Sequence, residues 1–291
     1  MQPETFALAG RPVRRVGFGA MQLPGPGVFG PPRDRDQALA VLRRAIELGV
    51  NHIDTAQYYG PDVSNELIRE ALHPYPEDLV LVSKVGAQRD ASGGWVAAQT
   101  PQQLRSGVED NLRSLQVECL GAVNLRLIGP EESAGASTVD FVEQLETMVA
   151  LREEGKIGAV GLSSITLEQF ELALENTQIG CVQNAFSLRS RGDEPLLERC
   201  HELGIPFVPF FPLGSAFPAL PKVTEHPSVQ AVAERLELTP AQVGLAWLLA
   251  RSPNILLIPG TSSPTHLEEN VAAGSVQLDA DALAELERAA D

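Results

Sequence analysis

Residues 51–60 read NHIDTAQYYG and decide the fold. A short apolar strand, His52–Asp54, follows a helix-period segment that ends in Gly49, and it leads into a loop that reaches Gly60. Glycine is the usual residue just beyond a helix, where the backbone turns left-handed before the next strand. Short apolar runs and longer helix-period segments alternate in the same way along the chain, which is typical of βα units around a parallel sheet.

Eight such units are present. The expected strands are Val16–Met21, His52–Asp54, Leu79–Lys84, Ala122–Ile128, Ala159–Ser163, Cys181–Ala185, Pro206–Phe210 and Ile255–Ile258. A chain of 291 residues suits one (β/α)8 TIM barrel, which typically has about 250 residues. We therefore predict a single α/β barrel domain over residues 1–291. A turn signal at residues 10–12 lies between two short strands, and we expect this N-terminal β-hairpin to cap the barrel bottom.

The composition excludes several classes of protein. The chain has 38 acidic and 22 basic side chains, a formal net charge of −16, whereas nucleic-acid binders normally show a basic face. Three widely spaced cysteines without a CxxC pair indicate neither a disulfide framework nor a zinc site. There is no signal-peptide pattern, and no apolar run approaches the roughly 20 residues of a membrane span. We expect a cytoplasmic monomer or small homo-oligomer without metal, nucleic-acid or membrane partners.

Three chemically active side chains are predicted at one end of the barrel. Asp54 ends the second strand, Tyr59 lies in the loop that follows, and Lys84 ends the third strand. That end carries the active site in barrel enzymes. An ammonium beside a phenol lowers the pKa of the phenol, so Tyr59 could serve as a proton donor near neutral pH. A structural ion pair beside an ordinary loop tyrosine is the alternative that spacing leaves open.

The stretch Asp54-Thr55-Ala56-x-x-Tyr59-Gly60 resembles the signature of aldo-keto reductases, and later motifs match that family in order. The resemblance implies reduction of aldehydes or ketones by hydride transfer from NADPH, or the reverse reaction, with a small carbonyl compound as substrate. It also implies the roles of three residues. Tyr59 is the general acid and base, Lys84 tunes its pKa, and Asp54 is the partner of Lys84.

One position departs from the family pattern. The family closes its fourth strand with a catalytic histidine, in a pattern like V-D-L-Y-L-I-H, whereas residues 123–129 read VNLRLIG and place Gly129 there. Counted back from Gly129, strand alternation turns Arg126 away, and we expect it to face outward toward the helices. Three interpretations remain: a water fills the gap, a loop or partner chain supplies the donor, or the protein binds cofactor with weak turnover.

The sequence has no Rossmann GxGxxG motif, so the barrel must bind the nucleotide in another way. We predict that the segment from Ile258 to Asn270 is the nucleotide site. Ser263-Pro264 reads as a helix N-cap with an N1 proline, which makes either an anion site or an ordinary capped helix. The segment is similar to the family's I-P-K-S-x-T-P-x-R-I-x-E-N, which holds the adenosine 2′-phosphate and the adenine. Gly260 replaces its lysine and His266 its arginine, so NAD(H) stays open beside NADP(H). The implied contacts are Thr261, Ser262, Ser263, His266, Glu269 and Asn270.

Further matches imply a nicotinamide pocket. Ser163 and Gln183 correspond to carboxamide-binding positions, and Phe210 to an aromatic residue that stacks on the nicotinamide ring. Leu213 and Ser215 are implied near the pyrophosphate. Taken singly, each of these residues also suits core packing or loop structure, and for Phe210 that is the better interpretation. Taken together, in order and each at the end of a strand, they favour a site. An apolar substrate wall is expected from residues near the mouth, namely Met21, Phe29, Trp95, Phe186 and Phe217.

Two functions other than reduction remain open. The first is a regulatory or sensor protein that binds the cofactor on the same fold with weak or no turnover, as Gly129 would permit. The second is an unrelated barrel hydrolase or aldolase with Lys84 as its nucleophile. The cofactor-segment matches favour the reductase over both.

Overall fold

The computed structural model describes residues 4–128, 139–214 and 221–288. In these ranges the strands are β1 (Thr5–Leu8), β2 (Arg11–Arg14), β3 (Phe18–Gly19), β4 (His52–Asp54), β5 (Val80–Arg89), β6 (Trp95–Ala98), β7 (Ala122–Arg126), β8 (Val160–Ser163) and β9 (Ile179–Gln183). The helices are α1 (Arg35–Glu47), α2 (Val63–Leu72), α3 (Pro101–Leu115), α4 (Phe141–Glu153), α5 (Leu167–Asn176), α6 (Glu194–Glu202), α7 (Pro227–Leu236), α8 (Pro240–Arg251), α9 (Pro264–Ala272) and α10 (Ala280–Arg288).

The central sheet is parallel and closes into a barrel, as predicted. Its strands pair in the order β3-β4-β5-β7-β8-β9. Single bridges from Val182 to Phe207, from Phe207 to Ile255 and from Val16 to Leu257 complete the ring. The seventh and eighth expected strands are thus reduced to isolated bridges. Prolines at 206, 209, 253 and 259 lack the N–H that a continuous ladder needs.

The N-terminal hairpin closes the lower end of the barrel. Strands β1 and β2 pair antiparallel, and the side chains of Leu8 and Val13 are buried. Both pack in one cluster with the barrel-strand residues Val80, Val82, Ala122, Cys181, Val208, Leu256 and Ile258. The predicted cap is therefore confirmed, and the interior of the barrel opens at the other end, its mouth.

Strand β5 is longer than the sequence indicated and rises above the barrel as a hairpin. Gly86 to Arg89 pair antiparallel with β6, beyond Lys84, where the expected third strand ended. The carboxylate of Asp90 organises the turn by accepting hydrogen bonds from the backbone N–H groups of Ser92 and Gly94, both at 2.8 Å. The expected strand end was wrong because the pairing beyond Lys84 depends on this local turn, and the hairpin brings Trp95 beside Arg126.

Capping boxes mark the first residues of two helices. Thr100 and Gln103 form a capping box at the start of α3, and Thr239 and Gln242 form another at the start of α8. The main core lies between the barrel and its helices, where apolar side chains are buried from Val16 to Leu286. Among the helices of the described ranges, none has the length and apolar character needed to cross a bilayer.

Candidate active site

An open cavity lies at the carboxyl ends of the barrel strands. Residues at or just beyond seven strand ends or bridges contribute to it, as expected for the mouth of a parallel barrel. The lining is Gly19, Met21, Gln22, Asp54, Tyr59, Lys84, Arg126, Ser163, Gln183, Phe210, Phe211, Pro212, Leu213, Gly214, Ile258, Pro259, Gly260 and Asn270. All three residues to which the sequence assigned chemistry are included.

Asp54, Lys84 and Tyr59 form one buried group. The ammonium of Lys84 forms a buried ion pair with Asp54 and also donates to the carbonyl oxygen of Thr55 at 3.0 Å. The amide of Gln183 donates to the second carboxylate oxygen of Asp54 at 2.9 Å. Lys84 Nζ lies 5.0 Å from the centroid of the Tyr59 ring. Asp54 therefore fixes both the lysine beside the phenol and the glutamine across the mouth.

Burial dominates the electrostatics of Tyr59. Desolvation of the phenolate raises the pKa of Tyr59 strongly, the charge of Asp54 raises it further, and the charge of Arg126 lowers it. The net direction is opposite to the lowering expected from Lys84 alone, because loss of hydration outweighs the effect of neighbouring cations. The phenol is therefore protonated at neutral pH and holds a proton that it can donate.

Tyr58 is the second tyrosine of the motif, and it has a structural place. Only 1% of its surface is exposed, and it does not line the cavity. Its ring packs edge-on against the rings of Tyr59 and Trp95, both at 5.4 Å between centroids. Of the two adjacent tyrosines, Tyr59 lines the cavity and Tyr58 does not.

Four of the five residues predicted for the nicotinamide and pyrophosphate line the cavity. They are Ser163, Gln183, Phe210 and Leu213, whereas Ser215 lies outside the described residues. The side-chain oxygen of Gln183 is buried and has no hydrogen-bond partner within the described ranges, while its nitrogen is held by Asp54. A buried acceptor of this kind calls for a donor. The amide N–H of a nicotinamide fits it.

The residues predicted to hold the adenosine end divide into two groups. Asn270 lines the cavity, but Thr261, Ser262, Ser263, His266 and Glu269 do not. The hydroxyl of Ser263 caps α9 by accepting from the N–H of His266 at 3.4 Å, and Thr261 accepts from the N–H of Ser263 at 3.0 Å. His266 is exposed in the first turn of α9. A phosphate site at this helix start remains a prediction.

Gly260 allows two chain segments to approach closely. A Cβ atom at this position would lie 2.5 Å from the carbonyl oxygen of Gly19. A Cβ atom on Gly19 would in turn lie 2.4 Å from the carbonyl oxygen of Ile258. No side chain fits at position 260 without a backbone shift, so the lysine of the family pattern is sterically excluded from this chain.

Arg126 lines the cavity, which corrects the expectation that it faces outward. Strand β7 ends at this residue, so alternation counted back from Gly129 does not apply; Gly129 itself lies outside the described residues. Arg126 pairs in register with Ser163, and Asn124, two residues earlier, contacts Cys181 at 3.3 Å inside the barrel. Strand alternation counted forward from Asn124 would have predicted that the side chain of Arg126 also points inward.

The residues expected to form an apolar wall lie in different places. Met21 lines the cavity, whereas Trp95 does not; the guanidinium of Arg126, which lines the cavity, lies 5.5 Å from the Trp95 ring centroid. Phe186 is 1% exposed and packs against Phe207, so it belongs to the core. Phe29 is 39% exposed near Arg89. Phe217 lies outside the described residues.

Comparison with known proteins agrees with this geometry. The aldo/keto reductase family model matches residues 15–291. The chain is 45% identical to pyridoxine 4-dehydrogenase of Escherichia coli over 99% of this chain and 98% of that protein. It is 38% identical to an uncharacterized oxidoreductase of Schizosaccharomyces pombe over 98% of this chain and 90% of that one.

Solved structures show the same fold. An aldo/keto reductase from Klebsiella pneumoniae in complex with NADP and acetate superposes with a TM-score of 0.80 at 27% identity, over 98% of this chain and 94% of that one. An aldo-keto reductase from the same species in complex with NADPH gives 0.81 at 28% identity, over 99% and 95%. The chain belongs to the aldo/keto reductase family and is an oxidoreductase.

Proposed function

We propose that this chain interconverts an aromatic aldehyde and its primary alcohol, with pyridoxal and pyridoxine as the pair and Tyr59 as the proton donor. One observation carries the proposal: the buried Tyr59 lies beside the Lys84–Asp54 pair in a cavity that also presents the unsatisfied amide oxygen of Gln183. The substrate follows from the 45% identity to pyridoxine 4-dehydrogenase, since dehydrogenation of that alcohol at its 4-hydroxymethyl group gives an aldehyde.

NADP(H) is the cofactor, as in the two structurally similar reductases from Klebsiella pneumoniae. When bound, it supplies or accepts the hydride. Ser163, Gln183 and Phe210 are the residues that would hold the nicotinamide. The aromatic face of Phe210 is suited to stack on a flat ring, and the free amide oxygen of Gln183 to accept from the carboxamide.

The side chains of the chain itself carry the proton. Tyr59 keeps its proton at neutral pH because burial raises its pKa, and it donates that proton to the carbonyl oxygen as negative charge develops there. Lys84 places a cation near the phenol, which offsets the charge of the phenolate that remains. Asp54 holds Lys84 in place through the ion pair. In the alcohol-oxidising direction the phenolate of Tyr59 is the base.

A Tyr59→Phe variant tests this proposal, with Tyr58→Phe as the matched control in the adjacent residue. Loss of NADPH absorbance is followed with pyridoxal and with small aromatic aldehydes. We expect Tyr59→Phe to lose roughly 10²–10⁴-fold in kcat, the usual contribution of a general acid, and Tyr58→Phe to keep its rate. Binding of NADPH, measured by calorimetry, should be unchanged in both variants.

Three results would contradict the proposal. Full activity in Tyr59→Phe would remove the tyrosine from the mechanism. Tight NADPH binding without turnover of any aldehyde would favour the sensor alternative. Turnover of other aldehydes but not of pyridoxal or pyridoxine would leave the reductase and reject the substrate.

A further inference from the structure

Arg126 contributes a guanidinium group to the cavity lining. Three charged side chains line it in the described part of the chain, namely Asp54, Lys84 and Arg126. Asp54 and Lys84 form an ion pair with each other, so their charges largely offset. The guanidinium of Arg126 is therefore the charged group of the described lining that lies outside this pair.

The backbone of Arg126 is held from two sides. Gly86 adopts a φ of +101°, and a Cβ atom there would lie 2.2 Å from the carbonyl oxygen of Arg126, so only glycine allows this approach. The amide of Gln99 donates to the same carbonyl oxygen at 3.0 Å. Register pairing with Ser163 fixes the other edge. Strand β7 thus ends at a fixed point beside the β5–β6 hairpin.

The side chain of Arg126 is placed against an aromatic surface. Its guanidinium lies 5.5 Å from the ring centroid of Trp95, within the range of a cation–π contact. Arg89, from the same hairpin, lies 3.8 Å from that centroid and is absent from the cavity lining. Trp95 therefore contacts two guanidinium groups, of which only that of Arg126 borders the cavity that contains Tyr59.

We propose that Arg126 donates a hydrogen bond to the carbonyl oxygen of the substrate, beside the hydroxyl of Tyr59. It would thereby polarise the carbonyl in place of the histidine that the family pattern has at position 129. The inference rests on the proposed function. A guanidinium has five N–H donors and keeps its protons at any ordinary pH, so it stabilises the developing charge while the proton itself comes from Tyr59.

The atoms and charges of this step balance. The carbonyl carbon gains a hydride that NADPH would supply, itself becoming NADP+, while the carbon–oxygen π bond breaks and its electron pair goes to the oxygen. That oxygen takes the proton of Tyr59 and leaves a phenolate, which returns to phenol by taking a proton from solvent. Arg126 forms no covalent bond and is not oxidised or reduced. Its positive charge also stabilises the phenolate, since it lowers the pKa of Tyr59 against the effect of burial.

The test uses Arg126→Gln and Arg126→Lys, with Arg89→Gln as the control that removes the other guanidinium from Trp95. Removing one preorganised donor to an oxyanion costs roughly 10²–10³-fold in kcat, which we expect for Arg126→Gln. Arg126→Lys should recover part of this loss because it restores a cation. Arg89→Gln should keep the wild-type kcat, and all three variants should bind NADPH normally.

Two further readouts separate a direct contact from a structural effect. In the alcohol-oxidising direction Tyr59 acts as a base, so the pH of half-maximal rate should be higher in Arg126→Gln than in wild type. Benzoate, a carboxylate analogue of benzaldehyde, should bind at least about tenfold more weakly to Arg126→Gln in calorimetry, because a charge-assisted hydrogen bond is lost. Benzoate binding requires no turnover.

The outcomes are distinguishable from failure of the proposed function. If wild type reduces aldehydes and Arg126→Gln has the same kcat, pH profile and benzoate affinity, the inference is overturned and the reductase stands. If wild type has no turnover, the proposed function fails, and benzoate binding still decides whether Arg126 binds an oxyanion. If Arg126→Gln does not fold, Arg126→Met, an unbranched side chain without charge, gives the same comparison.

Discussion

Lys84→Met should destabilise the protein through the carboxylate that it leaves behind. The side chains of Lys84 and Asp54 are only 6% and 5% exposed, so water cannot replace the ammonium as a partner. After the substitution Asp54 still accepts the 2.9 Å hydrogen bond from Gln183. Removing one partner of a buried ion pair costs about 3–5 kcal/mol, because the remaining charge is uncompensated.

A double-mutant cycle measures this effect. Loss of about 3–5 kcal/mol in a protein of this size lowers Tm by on the order of 10 °C. Urea denaturation would be followed for wild type, Lys84→Met, Asp54→Asn and the double variant. The double variant removes both charges, so we expect it to be more stable than the sum of the single losses predicts, by about 0.5–3 kcal/mol.

Additive losses in that cycle would refute the reasoning. They would mean that the two side chains contribute to stability independently and that the short contact between them has no energetic weight. The same result would also remove the argument that Asp54 positions Lys84 beside Tyr59. A cycle with strong coupling but unchanged activity in Lys84→Met would instead keep the ion pair and reject its part in proton transfer.

Two further predictions concern histidines. Burial lowers the pKa of His52 to about 4 from 6.5, so the unfolded state binds the proton more readily between those values. The free energy of unfolding should therefore fall as pH falls through this window, by up to about 1.4 kcal/mol per pH unit. The His52→Gln variant should not show this pH dependence. Urea titrations that give the same pH dependence for wild type and His52→Gln would contradict the prediction. His266→Arg adds a cation to the exposed first turn of α9. The new charge-assisted contact should be worth about 1.4 kcal/mol, so the preference for NADPH over NADH measured by calorimetry should rise about tenfold. Unchanged affinities for both cofactors would mean that this helix start does not hold the 2′-phosphate.

Residues at the ends of parallel strands were predictable from sequence. Asp54, Lys84, Ser163 and Gln183 each end or nearly end a short apolar run, and the carboxyl ends of all barrel strands meet at one mouth. Their convergence follows from the topology alone and needs no knowledge of side-chain packing. Tyr59 was reachable for the same reason, since a loop that follows such a strand stays at that mouth.

Features that depend on where a strand stops were not predictable in this way. The direction of Arg126 depends on β7 ending there, and the β5–β6 hairpin depends on antiparallel pairing beyond the barrel edge. The weak seventh and eighth strands reflect backbone donors lost at prolines, which periodicity of apolar residues does not register. The steric exclusion of a side chain at Gly260 follows from contact with Gly19, 241 positions away in the chain.

Trp95 lies in a different environment from the buried core of the barrel. The chain has two tryptophans, and the other, Trp247, is 1% exposed within α8. Trp95 instead is half-buried on the β5–β6 hairpin between two guanidinium groups. Because Trp95 lies beside Arg126, which lines the cavity, we expect its emission to change when the site is occupied, and a Trp247→Phe background would leave Trp95 as the single tryptophan.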